Sequence, residues 1–237
     1  VQFALASSVA SESVASRSLV ITMSGQSQAP QTVTITPSGS ATANLDYTLS
    51  ATTLTFTSLS TSATVVVTTV DDSTYEGDEN IILTLTSSTV SLGSQLVHTA
   101  TITDNESMPS VKFQLANDST NESSGNATIV ASLSGASQTA VTFTISLSGG
   151  TATSGTDFFG YGSTYTINAG SLTRNIAVGL NDDFIYEGNE TFVFTMSGVT
   201  GATLGSQSVH THTIIDDDPI PTIAFAISSG AAASEGG

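Results

Sequence analysis

The sequence repeats itself with a period of about 111 residues. Similar triplets start at positions 1, 111 and 223: Val-Gln-Phe, Val-Lys-Phe and Ile-Ala-Phe. The segments SLGSQLVHTATITDNE and TLGSQSVHTHTIIDDD close the first two copies. A period of this length corresponds to a whole domain rather than to a solenoid repeat. The sequence therefore predicts two tandem domains, residues 1–108 and 109–219, and the first strand of a third repeat in residues 220–237.

Each copy has the composition and the periodicity of a β-protein. Ser and Thr are abundant, Trp and Cys are absent, and short runs alternate between apolar and polar residues. In the first copy these runs are residues 1–6, 16–23, 31–37, 53–56, 63–70, 80–87 and 95–103. Seven short strands in a domain of this size predict an all-β fold made of tandem seven-stranded immunoglobulin-like β-sandwiches. No apolar run reaches the roughly 20 residues that a membrane-spanning helix needs.

The charge of the chain is unusual in sign and in distribution. There are 20 acidic residues and only three Lys or Arg residues, Arg17, Lys112 and Arg174, so the net charge is −17. Such a chain offers no basic surface to neutralise phosphates, which excludes nucleic acid as a partner. The acids are clustered, most densely in DDSTYEGDEN at 71–80 and in NDDFIYEGNE at 181–190.

The predicted strands explain why these clusters recur. If consecutive strands reverse direction, the chain leaves strands one, three, five and seven at the same end of each sandwich. Acids follow all four of these strands in both copies, and 18 of the 20 acids lie in such segments; the others are Asp118 and Glu235. We therefore expect the carboxylates to converge at one end of each domain.

Converging carboxylates repel one another and require a counter-charge. No Lys or Arg lies in these loops, so a metal ion is the expected counter-charge. A ligand set made only of oxygens selects a hard cation, and several carboxylates with six to eight oxygens to offer suit calcium better than magnesium. The alternative is a set of acidic loops that water alone solvates.

These motifs resemble the Calx-beta family. The resemblance lies in DDSTYEGDEN, NDDFIYEGNE, Asp46-Tyr47, Asp157-Phe158 and the closing TITDNE and IIDDD, and it covers both full copies. It implies seven-stranded sandwiches that bind several calcium ions at one end. By position, the implied calcium ligands are Glu12, Asp46, Asp71, Asp72, Glu76, Glu79 and Asp104 in the first copy, and Glu122, Asp157, Asp182, Asp183, Glu187, Glu190, Asp216, Asp217 and Asp218 in the second.

The two copies differ at the end of the last strand. The second copy ends in Asp216-Asp217-Asp218, whereas the first has Asp104-Asn105-Glu106. The number of ions and their affinity in the first copy therefore stay open.

Catalytic motifs are missing from the sequence. There is no G-x-S-x-G, no H-E-x-x-H and no phosphate-binding glycine loop. Paired carboxylates can hydrolyse glycosides, but the chain has few aromatic residues to line a sugar site. His98, His210 and His212 fall in the last strand of each copy, as structural residues do. We expect no enzymatic activity.

Two functions remain open. The first is a calcium-stiffened structural module of a long, repetitive, secreted or cell-surface protein such as an adhesin, sheath or filament, with neighbouring repeats as its partners. The tandem similar copies, the abundance of Ser and Thr, the scarcity of Lys and the absence of Cys favour it. The second is a regulatory calcium sensor coupled to a membrane transporter or receptor.

Overall fold

The structure is a computed structural model that describes residues 1–225. Strands and their connections make up almost all of this range, and its only helical element is a 3-10 turn at Glu122–Ser124. No helix within it is long and apolar enough to traverse a bilayer. The predicted all-β class is confirmed.

The first repeat is built from two sheets packed face to face. Its strands are β1 (Gln2–Phe3), β2 (Ser7–Ser11), β3 (Arg17–Thr22), β4 (Gln31–Gly39), β5 (Tyr47–Leu49), β6 (Thr53–Phe56), β7 (Ser62–Thr69), β8 (Thr74–Tyr75), β9 (Glu79–Thr86) and β10 (Val97–Thr103). One sheet has the order β1-β3-β7-β5, and the other has the order β2-β10-β9-β4-β6.

The second repeat has the same architecture. Its strands are β11 (Ser110–Phe113), β12 (Asn117–Asn121), β13 (Asn126–Leu133), β14 (Ala136–Ser137), β15 (Val141–Gly150), β16 (Phe158–Phe159), β17 (Thr164–Ile167), β18 (Thr173–Leu180), β19 (Glu190–Thr200), β20 (Thr203–Leu204) and β21 (Val209–Ile215). Its sheets have the orders β16-β18-β13-β11-β20 and β12-β21-β19-β15-β17. The remaining strands, β8 and β14, pair with each other in parallel across the two repeats.

Each sandwich has its own hydrophobic core. The alternation that predicted inward faces is observed: Ile81, Leu83 and Leu85 of β9 are buried, and so are their counterparts Phe192 and Phe194 of β19. The core of the first repeat contains no residue of the second, and the reverse also holds. Two cores of this kind are what a tandem of sandwiches requires.

The first predicted strand differs from the observed structure. Residues 1–6 were expected to form one strand, but β1 ends at Phe3 and β2 begins at Ser7 in the opposite sheet. The intervening residues 4–6 are exposed, so the inward alternation stops there and the chain crosses between the sheets. After the crossing, β2 pairs in parallel with β10. The same split separates β11 from β12 in the second repeat.

The start of a third repeat was predicted in residues 220–237. Residues 220–225 form no strand in the structure, and Ile223 and Phe225 are fully exposed. Residues 226–237, which include Glu235, lie outside the described part of the chain.

Candidate metal centre

The predicted acidic residues lie together at one end of each sandwich. We call the group in the first repeat the first pole; it consists of Glu12, Asp46, Asp71, Asp72, Glu76, Glu79, Asp104 and Glu106. The second pole consists of Glu122, Asp157, Asp182, Asp183, Glu187, Glu190, Asp216, Asp217 and Asp218. Each pole is assembled from four chain segments that are distant in sequence: the residues after β2, β4, β7 and β10, and those after β12, β15, β18 and β21.

The carboxylates of the first pole form two compact groups. Glu12, Asp104 and Glu106 place one oxygen each within 4.8 Å of one another, and Asp46, Glu76 and Glu79 do the same. In the second pole, Glu122 takes part in two such groups, one with Asp182 and Asp217 and one with Asp183 and Asp218. Separations of this size allow a single cation to contact three carboxylates.

One aspartate in each pole is fixed by backbone N–H groups. Asp104 Oδ2 accepts hydrogen bonds from the amides of Glu76 at 2.7 Å and Gly77 at 2.6 Å, and its Oδ1 accepts one from the amide of Glu106 at 2.7 Å. Gly77 supports this arrangement with a φ of +77°, which favours glycine.

Asp216 has the same role in the second pole. It accepts hydrogen bonds from the amides of Glu187 at 2.7 Å, Gly188 and Asp218. In the first repeat these bonds attach the loop after β7 to the end of β10. In the second repeat they attach the loop after β18 to the end of β21.

Several buried carboxylate oxygens of the poles have no hydrogen-bond partner among the described residues. They are Glu12 Oε1, Glu79 Oε2, Glu106 Oε2, Glu122 Oε1 and Asp218 Oδ2. A buried, unpaired carboxylate oxygen is costly, because it has lost its water without gaining a donor. The only ion pairs among residues 1–225 join histidines to Asp118, outside the poles. A bound cation would therefore satisfy oxygens that the protein itself leaves unpaired.

The crowding shifts the pKa values of the first pole upward. Burial, together with Glu106, Asp104 and Glu76, raises the pKa of Glu12 to about 8. Burial and neighbouring carboxylates also raise the pKa of Glu76 and that of Glu79 to about 7. Burial alone would raise the pKa of Asp104, but its three backbone donors lower it below the ordinary value. The pole is thus ionised at a cost, which a divalent cation would offset.

The second pole has the same electrostatics. Burial and the charges of Asp216, Asp218, Asp217 and Asp183 raise the pKa of Glu122 to about 7. Burial and Asp157 raise the pKa of Glu190 to about 7.

Three further residues of the second pole, Glu187, Asp216 and Asp218, have shifted pKa values. The pKa values of Glu187 and Asp218 are raised by desolvation first and by neighbouring carboxylates second. Desolvation tends to raise the pKa of Asp216, but its backbone hydrogen-bond donors lower it more, so the pKa lies below its ordinary value.

The two compact groups of the first pole do not include Asp71 and Asp72. Asp71 and Asp72 are exposed; Asp72 Oδ1 accepts a hydrogen bond from the amide of Thr74 at 2.6 Å, and Asp71 Oδ1 accepts one from Asn105 Nδ2 at 3.4 Å. In the second pole, Asp183 Oδ1 accepts the equivalent bond from Ile185 at 2.7 Å.

The structure places one further carboxylate, that of Glu106, beside the ligands that the resemblance implied. Its carboxylate joins those of Glu12 and Asp104. Glu106 aligns with Asp218 of the second copy. This alignment could have identified Glu106 as a candidate from the sequence alone.

The first pole also contacts the second repeat. Strand β8 lies between Asp72 and Glu76 and pairs with β14, Thr74 opposite Ala136 and Tyr75 opposite Ser137. Gln138 then donates from its amide to Tyr75 O at 2.9 Å and from Nε2 to Glu76 Oε1 at 3.1 Å. One acidic loop therefore belongs both to the pole and to the junction between the repeats.

Taken together, these features define tandem β-sandwiches, each with an all-oxygen acidic site suited to a hard divalent cation. The chain belongs to the Calx-beta domain family, which matches residues 1–106 and again residues 104–218. The resemblance stated from the motifs is thereby confirmed. No curated protein sequence matches the chain.

Solved structures of similar fold include single and tandem domains. An apo-form Calx CBD1 domain is 23% identical, with 47% of this chain and 100% of that chain covered and a TM-score of 0.44. The CBD12 region of CALX1.2 is 18% identical, with 87% and 82% covered and a TM-score of 0.42. The calcium binding domain CBD12 of CALX1.1 is 15% identical, with 89% and 98% covered and a TM-score of 0.42. The family assignment rests on the two sequence matches.

Proposed function

We propose that this chain is a pair of calcium-binding Calx-beta domains in which calcium at the first pole orders the junction with the second repeat. The observation that carries the calcium proposal is the set of buried carboxylate oxygens without hydrogen-bond partners in both poles. They lie in groups of three carboxylates, and no Lys or Arg approaches them through an ion pair among residues 1–225.

Calcium fits this donor set better than other hard cations. Magnesium requires a small octahedron and usually keeps several waters, whereas calcium accepts six to eight oxygens in an irregular arrangement. The poles offer many carboxylates, several of them buried, on loops of four segments. The same carboxylates would hold the ion, so we propose a binding role and not a catalytic one.

The junction is the reason to expect a mechanical effect. Glu76 contributes to the first pole and accepts a hydrogen bond from Gln138 of the second repeat. Repulsion between the carboxylates of the ion-free pole would act on Glu76, the side chain that the second repeat contacts. An ion that fixes Glu76 therefore also fixes one side of the junction.

The linker between the repeats is held at both ends. At its start, Glu106 donates its amide to Asp104 in the first pole. Three residues later, Pro109 is buried and its carbonyl accepts a hydrogen bond from the amide of Thr203 at 2.9 Å. The ring of Pro109 fixes φ and stiffens the segment further. Calcium at the first pole would immobilise the short stretch that separates these two anchors.

The loop of the second pole that corresponds to β8 is exposed. Phe184, Ile185 and Tyr186 occupy the positions equivalent to Ser73, Thr74 and Tyr75, and Phe184 is 95% exposed. In the first repeat this segment pairs with the following domain. We propose that the exposed segment serves as the contact for a further repeat of the same kind.

Two biological settings are compatible with this junction. The contact between the first pole and the second repeat supports a regulatory sensor, in which a change of interdomain order is passed to a coupled protein. The tandem similar copies and the Ser- and Thr-rich composition support a structural module of a secreted or cell-surface fibre. We favour the sensor setting, because the contact through Glu76 links ion binding directly to domain arrangement.

The test is small-angle scattering of the full chain in calcium and in chelator, with calorimetry on the same samples. We expect calcium to bind at both poles and to reduce interdomain flexibility. Calcium binding without any change in maximum dimension or flexibility would refute the junction role. The absence of calcium binding would refute the proposal as a whole.

A further inference from the structure

Asp118, His210 and His212 form a third cluster of ligand atoms, separate from the poles. One oxygen or nitrogen of each lies within 4.8 Å of the others, and both histidines are buried. The strands explain the cluster: His210 and His212 alternate on β21 and share a face, and Asp118 of β12 lies opposite His212 in the parallel pair. His212 precedes Asp216 by four residues, about 13 Å along a strand.

The hydrogen bonds of His210 reveal an unsatisfied pair of acceptors. Its Nδ1 lies 2.9 Å from the carbonyl oxygen of Leu115, and a carbonyl only accepts, so Nδ1 carries the hydrogen. In a neutral imidazole Nε2 is then an acceptor, yet it lies 3.0 Å from Asp118 Oδ1, another acceptor. Two acceptors at this distance require a positive ion or an extra proton between them.

In the first repeat the equivalent histidine, His98, has a hydrogen-bond partner at both ring nitrogens without any added charge. His98 Nδ1 lies 2.8 Å from Leu5 O, and its Nε2 lies 2.9 Å from the hydroxyl of Ser8, which donates. Ser8 and Ala100 are the counterparts of Asp118 and His212. In the first repeat Ser8 and His98 satisfy each other by one hydrogen bond. The second repeat has a carboxylate and a second imidazole at the positions of Ser8 and Ala100, although the first repeat adopts the same fold without them.

We propose that Asp118 Oδ1, His210 Nε2 and His212 Nδ1 bind a divalent transition-metal ion, of which zinc is the best-suited. Two imidazole nitrogens and one carboxylate oxygen form a donor set that zinc prefers and calcium does not. Ligand atoms around tetrahedral zinc are about 3.3 Å apart, given bonds of about 2.0–2.1 Å. The separation of 3.0 Å between His210 Nε2 and Asp118 Oδ1 is close to this value. His212 Nδ1 lies closer to Asp118 Oδ1, in a hydrogen bond that zinc would replace by moving the two atoms apart.

The surroundings of the cluster match a metal site. His210 donates its other ring N–H to Leu115 O, the usual way in which a metal-bound histidine is oriented. A cavity of about 30 Å³ adjoins His210 and Asp118, lined also by Gln114, Leu115, Thr128 and Val130. A water needs roughly 10–15 Å³ of such space, so the cavity can supply a fourth ligand.

The alternative to a metal ion is a proton on His210. That proton would satisfy the contact with Asp118 Oδ1, which His212 Nδ1 also hydrogen-bonds, but it would place an imidazolium on a side chain that is 1% exposed. Burial also lowers the pKa of His212, against the raising effect of Asp118, and so favours its neutral, metal-binding form. One divalent ion meets all three ligand atoms at once.

The experiment is a zinc titration of the full chain by calorimetry, in saturating calcium so that the carboxylates of the poles are occupied. We expect one zinc ion per chain at neutral pH. Asp118→Ser, which restores the pairing of the first repeat, should weaken zinc binding at least about tenfold, and His212→Ala should do the same. Ser8→Ala, the control in the first repeat, should leave zinc binding unchanged.

A second readout identifies the ligands. Cobalt bound in place of zinc should show visible absorption typical of nitrogen and oxygen ligands, and Asp118→Asn, which keeps the size of the side chain, should abolish it. Nitrogen NMR of the imidazoles should show zinc shifting His210 Nε2 and His212 Nδ1. Zinc binding of equal affinity in Asp118→Ser, or a His210 that stays doubly protonated at neutral pH with zinc in excess, would overturn the proposal.

Discussion

Gln138 of the second repeat donates a hydrogen bond to Glu76 of the first pole, with 3.1 Å between Nε2 and Oε1. Because Glu76 shares a three-carboxylate group with Asp46 and Glu79, the bond connects the candidate ion site to the neighbouring domain. The first prediction concerns this connection.

Gln138→Ala should loosen the junction in the presence of calcium. The variant removes a bond to a carboxylate, worth about 1 kcal/mol or somewhat more. Small-angle scattering should show greater interdomain flexibility, while the stability of each domain stays unchanged. Gln28→Ala is the matched control, because Gln28 occupies the same position in the first repeat and is exposed. Equal effects of the two substitutions would contradict the prediction.

Removal of calcium should lower the melting temperature. The folded chain without ions retains mutual repulsion within each pole, whereas the unfolded chain separates the charges. Calcium at a hundred times its dissociation constant should restore about 2.7 kcal/mol per independent site. Differential scanning calorimetry in chelator and in calcium measures the effect, and superimposable melts would rule it out.

Glu12→Gln should have opposite effects with and without calcium. Glu12 is buried at the first pole, and desolvation and the neighbouring Glu106 raise the pKa of its carboxyl group. The neutral amide removes this strain, so the variant should melt higher than the wild type in chelator. It also removes a ligand, so calcium affinity should fall. Glu122→Gln should repeat the pattern at the second pole, and a variant that is destabilised in both conditions would show that Glu12 serves packing alone.

In chelator, the protein should be more stable at pH 5 than at pH 8. The glutamates Glu12, Glu76, Glu79, Glu122 and Glu190 have folded pKa values of about 7 to 8, above the ordinary value of 4.5. The folded state therefore binds more protons, and its stability falls as pH rises from about 4.5 through about 8. The lowered pKa of Asp104 acts only at more acidic pH.

Calcium should abolish this pH dependence or reverse its sign, because the ion favours the ionised carboxylates. Urea unfolding at several pH values, with and without calcium, measures the slope. A chelated protein whose stability rises between pH 5 and pH 8 would contradict the assigned direction.

Gly150→Ala should destabilise the second repeat by at least about 2 kcal/mol. Gly150 has a φ of +118°, and an added Cβ would lie 2.1 Å from the carbonyl oxygen of Thr191. Gly39 has the same conformation and the same conflict, with Asn80, in the first repeat. Gly25→Ala is the control, since its Cβ would meet no atom within 4 Å. Chemical denaturation of the variants compares them directly.

The sequence by itself determined the two-domain plan and the location of the acids. The alternation in segments such as residues 80–87 depends on neighbours in the chain, so it identifies strands and their inward faces without tertiary information. Reversal of consecutive strands then places the loops after β4, β7 and β10 at one end. The structure puts Asp46, Glu76 and Asp104 there, and the ligand role of each stays a prediction.

Only the tertiary structure decided which distant residues meet. Strand β12 was not predicted, because NDSTN shows no apolar alternation, and its parallel pairing with β21 joins residues more than 90 positions apart. That pairing brings Asp118 to His210 and His212, and the docking of β14 on β8 brings Gln138 to Glu76. Burial is likewise collective: Glu12 is 4% exposed, and the carboxylates around it, Glu76, Asp104 and Glu106, come from segments distant in sequence. Local pattern encodes the conformation of a segment, whereas the contacts between segments depend on how the whole chain packs.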